Sequence, residues 1–192
     1  MQLALTPAEV QQRRNASRMG LWLYIVSMTM MFMGLTSAFL VKKSEKGWYP
    51  IELPSMFYVS TAVILLSSLT LHLALGAARR NQIPRLQVLI GATLALGVVF
   101  LFTQLLAFSQ LVGANVFLVG PGVSGSFVYI LSGLHGVHIL AGLIVMSVLL
   151  IQALRLRLGA ERQFGLHLAA TFWHALDVLW VYLFLFLLAN AG

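Results

Sequence analysis

Four side chains able to bind a metal or move a proton fall inside two apolar stretches. His135 and His138 lie in "SGLHGVHILAG" (132–142), and His174 and Asp177 lie in "TFWHALDVLW" (171–180). Each pair is spaced i, i+3, which on a helix places both members on one face. Three chemistries suit such a set. His135, His138 and His174 could ligate a metal, with Asp177 orienting a ligand or acting as base. A b-type haem would take one histidine from each of two helices at matching depth. The third is an interhelical hydrogen-bond cluster that locks two helices together or to a partner. Spacing alone leaves all three open.

The surroundings sharpen the question. A carboxylate amid apolar neighbours is costly and needs a use. Successive helical residues turn by about 100°, so Trp173, Asp177 and Trp180 form one stripe with His174 at its edge. Gly136 and Gly142 are small enough to admit a second helix beside the two histidines. His72, near the end of another apolar run, suits a position at headgroup level. Gln104 is a further polar candidate for an interface. Asp177 is expected to accept from His or Trp donors and so tie its helix to the one carrying His135 and His138.

Two other motifs invite chemistry and are better explained without it. "GPGVSG" (120–125) formally fits G-x-G-x-x-G. A dinucleotide site would need a strand before it and an acidic residue about 20 positions later. Here an apolar run precedes it and "LIVMSVL" follows, so a loop turn is expected. "SMTMMFM" (27–33) concentrates Met28, Met30, Met31 and Met33. Thioethers bind Cu(I), yet such close spacing points them in several directions around a helix, as packing residues do.

What must position these residues is a membrane bundle. The chain has 192 residues, 60% hydrophobic and 9% charged, with a mean hydropathy of +0.92. That balance excludes both an ordinary soluble domain and a disordered one. The formal charge of +7 sits in short basic clusters between apolar runs, which fits membrane loops rather than a nucleic-acid face. With no cysteine, disulfides, iron–sulfur clusters, thiolate zinc sites, covalent c-type haem and cysteine-bridged copper are all excluded.

Five apolar runs, at roughly 20–41, 56–75, 86–111, 126–151 and 164–189, are each long enough to cross a hydrocarbon core of about 30 Å at 1.5 Å per residue. In lipid each must be helical, because no water is there to satisfy an open backbone. The run after Arg13, Arg14 and Arg18 is too long for a cleavable signal's apolar core. The expected fold is an all-α polytopic membrane protein: residues 1–19 as a cytoplasmic tail, then 20–192 as one domain of five transmembrane helices. Arg13, Arg14, Arg18, Arg79, Arg80, Arg85, Arg155, Arg157 and Arg162 fall on one side, against Lys42, Lys43 and Lys46 on the other. That bias predicts a cytoplasmic N-terminus and an outside C-terminus.

"SFVYILSGLHGVHILAGL" (126–143) and "FWHALDVLWVYLFLF" (172–186) resemble subunit III of the haem-copper oxygen reductases, the cytochrome c and quinol oxidase family. That family carries G-x-H-G-x-H-x-x-x-G on one helix and W-H-x-x-D-x-x-W on the last. "LWLYIVSMTMMFMGL" (21–35), "LPSMFYVSTAVILLSSLTLHLA" (53–74) and Gln104 extend the resemblance over all five spans, as in the short five-helix bacterial form. The resemblance implies an accessory subunit of a proton-pumping terminal oxidase in the bacterial inner membrane, not catalytic alone. Its implied partners are oxidase subunits I and II, which hold the haem and copper, together with phospholipid and a larger respiratory supercomplex. It implies no metal or cofactor in this chain and no nucleic acid. Its implied roles are to stabilise the catalytic subunit, hold lipid between helices and support oxygen delivery and proton uptake. Two family acids are replaced, by Met28 and by Ala107. The competing classes are an intramembrane metal-dependent hydrolase built on the His/Asp set and a haem b membrane anchor.

Overall fold

The computed structural model describes residues 6–45, 48, 50–119, 123–155 and 160–190. Lys46, Arg157 and Gly120 to Gly122, which the sequence reading used, lie outside them, as does the side chain of Arg162. The order is α1 (Pro7–Lys43), α2 (Met56–Arg79), α3 (Ile83–Gly113), α4 (Val123–Leu154) and α5 (Ala160–Asn190). All five are long and apolar enough to cross a membrane, and no strand occurs among the described residues. Each of the five apolar runs falls within one of these helices, and every helix extends beyond its run.

The largest extension is at α1, which begins well inside the expected tail. Thr6 opens it with a capping box: its Oγ1 accepts from the Glu9 backbone N–H at 3.4 Å, and its own N–H donates to Glu9 Oε2 at 2.7 Å. Pro7 at the first position adds a preset φ. The basic turn is thereby helical and docked. Arg14 and Arg18 lie over the Phe164 ring of α5, at 5.6 and 5.2 Å from its centroid.

Two helices stop on asparagines rather than glycines. Asn81 (φ 52°) and Asn115 (φ 58°) take the left-handed conformation. Each sits one residue before an N–H that reaches back across the helix end, Gln82 to the Ala77 carbonyl at 3.0 Å and Val116 to Leu111 at 2.9 Å. This satisfies carbonyls left over at a helix C-terminus, and asparagine tolerates the backbone better than most side chains.

In packing, α2 lies between α3 and α5, and α4 lies between α3 and α5, so α2 to α5 close a ring. Among the described residues α1 packs on α4 and α5 alone. Within the most apolar window of each helix, 44% of α5 is buried but only 22% of α1. α5 is therefore the hub, and α1 a strap along it. The strap is fastened at both ends: Arg14 and Arg18 at Phe164, and Lys43 Nζ donating to the Asn190 carbonyl at 2.7 Å.

Candidate functional site

The stripe expected on α5 exists. Trp173, Asp177 and Trp180 are buried, and His174 sits at the edge with its side chain 34% exposed. The partner helix is the surprise. Trp173 Nε1 donates to Ser67 Oγ at 2.9 Å and Trp180 Nε1 to Thr61 Oγ1 at 3.0 Å, both on α2. His174 Nδ1 is 2.7 Å from Ser68 Oγ, again on α2. α2 and α5 are antiparallel, so pairing 173 with 67 and 180 with 61 keeps the two helices in register. Gln104 extends the zipper to α3, its Nε2 donating to Ser60 Oγ at 3.2 Å.

This corrects the expectation for Asp177. It does not take the tryptophan protons, and it does not tie α5 to α4. Its Oδ2 is 3.7 Å from His174 Nδ1, the nitrogen that also faces Ser68. Neither carboxylate oxygen makes a hydrogen bond among the described residues. The pair His174 and Asp177 belongs to the α2–α5 seam.

The histidines of α4 go elsewhere. His135 is fully buried among the rings of Phe32 (6.4 Å between centroids), Phe100 (5.8 Å) and Trp180 (5.0 Å). Both of its ring nitrogens lack a hydrogen-bond partner among the described residues. His138 turns toward α1, its ring 5.7 Å from Phe32 and 6.3 Å from Tyr24. Its Nδ1–H donates to its own helix at the Leu134 carbonyl, 2.7 Å away. The expected four-residue cluster is thus split in three: an aromatic-packed His135, a self-bonded His138 and the seam pair.

Chemistry follows from that division. Among the described residues no three His, Asp or Glu side chains are grouped so as to hold a metal ion. Ser68, His174 and Asp177 include the residue types of a hydrolytic triad. A triad, however, needs the serine and the carboxylate on opposite ring nitrogens, whereas here both face Nδ1. The geometry is that of helix cement.

The small residues explain how Trp173 fits. A Cβ on Gly97 of α3 would lie 2.8 Å from Trp173 Cη2 and 2.7 Å from Leu143 Cδ2. One on Gly142 of α4 would lie 3.1 Å from Trp173 Cε3 and Cζ3. The indole is therefore clasped by two backbones while its N–H reaches a third helix. Gly136 is under no such constraint, since its nearest neighbour, Leu101 Cδ2, would stand at an ordinary 3.7 Å.

The remaining candidates resolve simply. Met28 is buried in the core while Met30 and Met33 are 68% and 57% exposed, so the methionines do not converge. Ala107, like Met28, is buried, so both positions that replace family acids are filled with apolar packing. In the glycine loop, Ser124 and Gly125 already belong to α4, and a Cβ at Gly125 would meet the Phe117 carbonyl oxygen at 3.0 Å. His72 is exposed and lines two surface hollows. One hollow, about 630 Å³, runs between α2 and α5 past Ser68, His174 and Asp177. A second groove, about 560 Å³, runs between α1 and α5 from Trp22 to Tyr182.

The α2 hydroxyls were missed from sequence. Their signal was a repeat: Ser60 and Thr61 recur as Ser67 and Ser68 at the seven-residue spacing that separates Trp173 from Trp180.

A family model described as cytochrome c oxidase subunit III matches residues 6–190. The cytochrome c oxidase subunit 3 of Bacillus subtilis is 27% identical over 183 residues, covering 93% of this chain and 88% of that protein. The subunit 3 of Synechocystis sp. is 30% identical over 175 residues, covering 86% and 72%. That of Gadus morhua is 31% identical over 183 residues, covering 88% and 67%.

Proposed function

Since the chain belongs to the cytochrome c oxidase subunit III family and is a non-redox subunit III of a terminal oxidase, we propose that it serves as the structural accessory to the oxidase's catalytic subunit. In this reading subunits I and II carry the haem and copper. This chain stabilises subunit I, holds phospholipid in the grooves flanking α5, and supports oxygen delivery and proton uptake in a proton-pumping complex. The observation that carries the reading is the use made of the polar side chains. Trp173, Trp180, His174 and Gln104 meet hydroxyls of α2, and His138 meets its own helix. Such an arrangement supports rigidity rather than reaction. His135, His138, Trp173, His174, Asp177 and Trp180 are then structural residues.

The arginine bias supports a cytoplasmic N-terminus, an outside C-terminus and a bacterial inner membrane as the location. Around the bundle, large apolar side chains such as Trp22, Leu69, Phe102, Ile144 and Leu185 are exposed, as they would be against lipid or partner helices.

Affinity purification of the tagged chain from native membranes in mild detergent tests the proposal. Recovery of a large polytopic haem-copper subunit and a subunit II supports it. Recovery alone, or with a flavin or iron–sulfur dehydrogenase, would overturn it.

A further inference from the structure

The tight turn between α2 and α3 gathers three arginines around a cavity of about 240 Å³. Arg79 and Arg80 end α2, Arg85 begins α3, and Asn81 makes the turn. All three arginines are exposed. No lining residue is acidic, and among the described residues none of the three has a carboxylate or ring partner. This contrasts with Arg14 and Arg18, which are committed to Phe164. Orienting a chain in the membrane requires only charge, and a built cavity goes beyond that requirement. Gly76 borders the cavity, and a Cβ there would stand in open space with nothing within 4 Å.

The cavity continues into an apolar track. His72 lines both this cavity and the α2–α5 hollow. From it, Leu73, Leu69 and Leu65 are 44%, 55% and 51% exposed along one side of α2. The eight helical steps from Leu73 to Leu65 cover about 12 Å, against a leaflet of about 15 Å. A site with unpaired guanidinium groups at the end of a span and an apolar track leading toward the midplane matches one kind of molecule in charge and in shape. Guanidinium groups grip phosphate oxygens bidentately, and the track suits a hydrocarbon chain.

We propose that the α2–α3 turn binds an anionic phospholipid, its phosphate held by Arg79, Arg80 and Arg85 and one acyl chain lying along Leu73, Leu69 and Leu65. The site's headgroup end lies beyond the grooves flanking α5, its acyl track enters the α2–α5 hollow at Leu69 and Leu65, and the arginines add a headgroup selectivity that the grooves alone do not have. It rests on the membrane reading of the five helices and not on which subunits the chain joins.

The test uses the intact purified complex, exchanged into micelles containing equal phosphatidylglycerol and phosphatidylcholine, with retained lipid counted by native mass spectrometry. Three variants are compared: Gly76→Trp, which fills the cavity without altering charge or orientation; R79Q/R80Q/R85Q; and R13Q/R14Q/R18Q, which removes the same charge elsewhere. The wild type retains phosphatidylglycerol preferentially. That preference falls about tenfold or more in the first two variants and stays in the third. An unchanged preference in Gly76→Trp, or an equal fall in both arginine triples, would overturn the site in favour of diffuse attraction. Inorganic phosphate at millimolar concentration leaves the retained lipid unchanged. Its displacement by phosphate would overturn the lipid as ligand and leave a free-phosphate site. Loss of partner subunits from the wild type would instead count against the oxidase assignment, so the two failures are distinguishable.

Discussion

Gly97→Ala is the sharpest perturbation that the bundle offers. The added methyl would stand 2.8 Å from Trp173 Cη2 and 2.7 Å from Leu143 Cδ2. Leu143 is a flexible side chain and can yield. Trp173 is fully buried, bonded through Nε1 to Ser67, and backed on another face by Gly142, where a Cβ would stand only 3.1 Å away. Overpacking of that kind costs about 1–3 kcal/mol. Alanine also regains about 1 kcal/mol of helix propensity relative to glycine, which would mask part of the cost. Gly91→Ala on the same helix removes that ambiguity, because a Cβ at Gly91 meets nothing within 4 Å. The difference between the two variants isolates the clash. In SDS titrations of the chain in mixed micelles, followed by tryptophan fluorescence, Gly97→Ala is expected to fall about 1–3 kcal/mol below Gly91→Ala. A second expectation follows from the same contact. Trp173→Phe removes the six-membered ring carbons that meet Gly97, so adding Gly97→Ala to Trp173→Phe costs less than adding it to the wild type. Equal stability of Gly97→Ala and Gly91→Ala, or strict additivity in the double variant, would refute the clasp.

Two other expectations concern the seam and the strap. Trp180→Phe removes the indole N–H that donates to Thr61, whose hydroxyl keeps its own bond to the Phe57 carbonyl at 2.7 Å; the coupling energy in a cycle with Thr61→Val and the double variant, read in the same titration, should be about 0.6 kcal/mol, a usual value for an interhelical hydrogen bond in lipid. Phe164→Leu removes the ring under Arg14 and Arg18 and is expected to free the first turns of α1, so trypsin should cut at Arg14 or Arg18 severalfold faster in proteoliposomes while the spans stay protected.

The spans were legible because lipid permits only one backbone solution for a long apolar run. Their ends were less so. Hydropathy starts α1 near Gly20, whereas the capping box at Thr6 and Glu9 starts it at Pro7; hydropathy is blind to caps, although the S/T-x-x-E pattern was there to be read. The α5 stripe was also legible, since one helix fixes its own faces. Its partner was not. Periodicity says which residues share a face and is silent on which helix lies opposite, so Asp177 was referred to α4 when α2 supplies the hydroxyls beside it. His135 and His138 separated for a related reason. An i, i+3 pair spans part of a turn, enough here for one ring to enter the core and the other to meet Tyr24.

The strap has a consequence for biosynthesis. Of the five helices α1 leaves the ribosome first, yet among the described residues its helical neighbours are α4 and α5, the last of the five to be made. It must therefore wait in the bilayer, with its inward face of Met28 and Phe32 unmatched, while further helices are inserted. During that interval α2 and α3 can already pair with each other across their short turn. The earliest of the five helices to enter the membrane is the last to be seated, and whatever shelters it until then, lipid or insertion machinery, holds the five-helix bundle's most exposed intermediate.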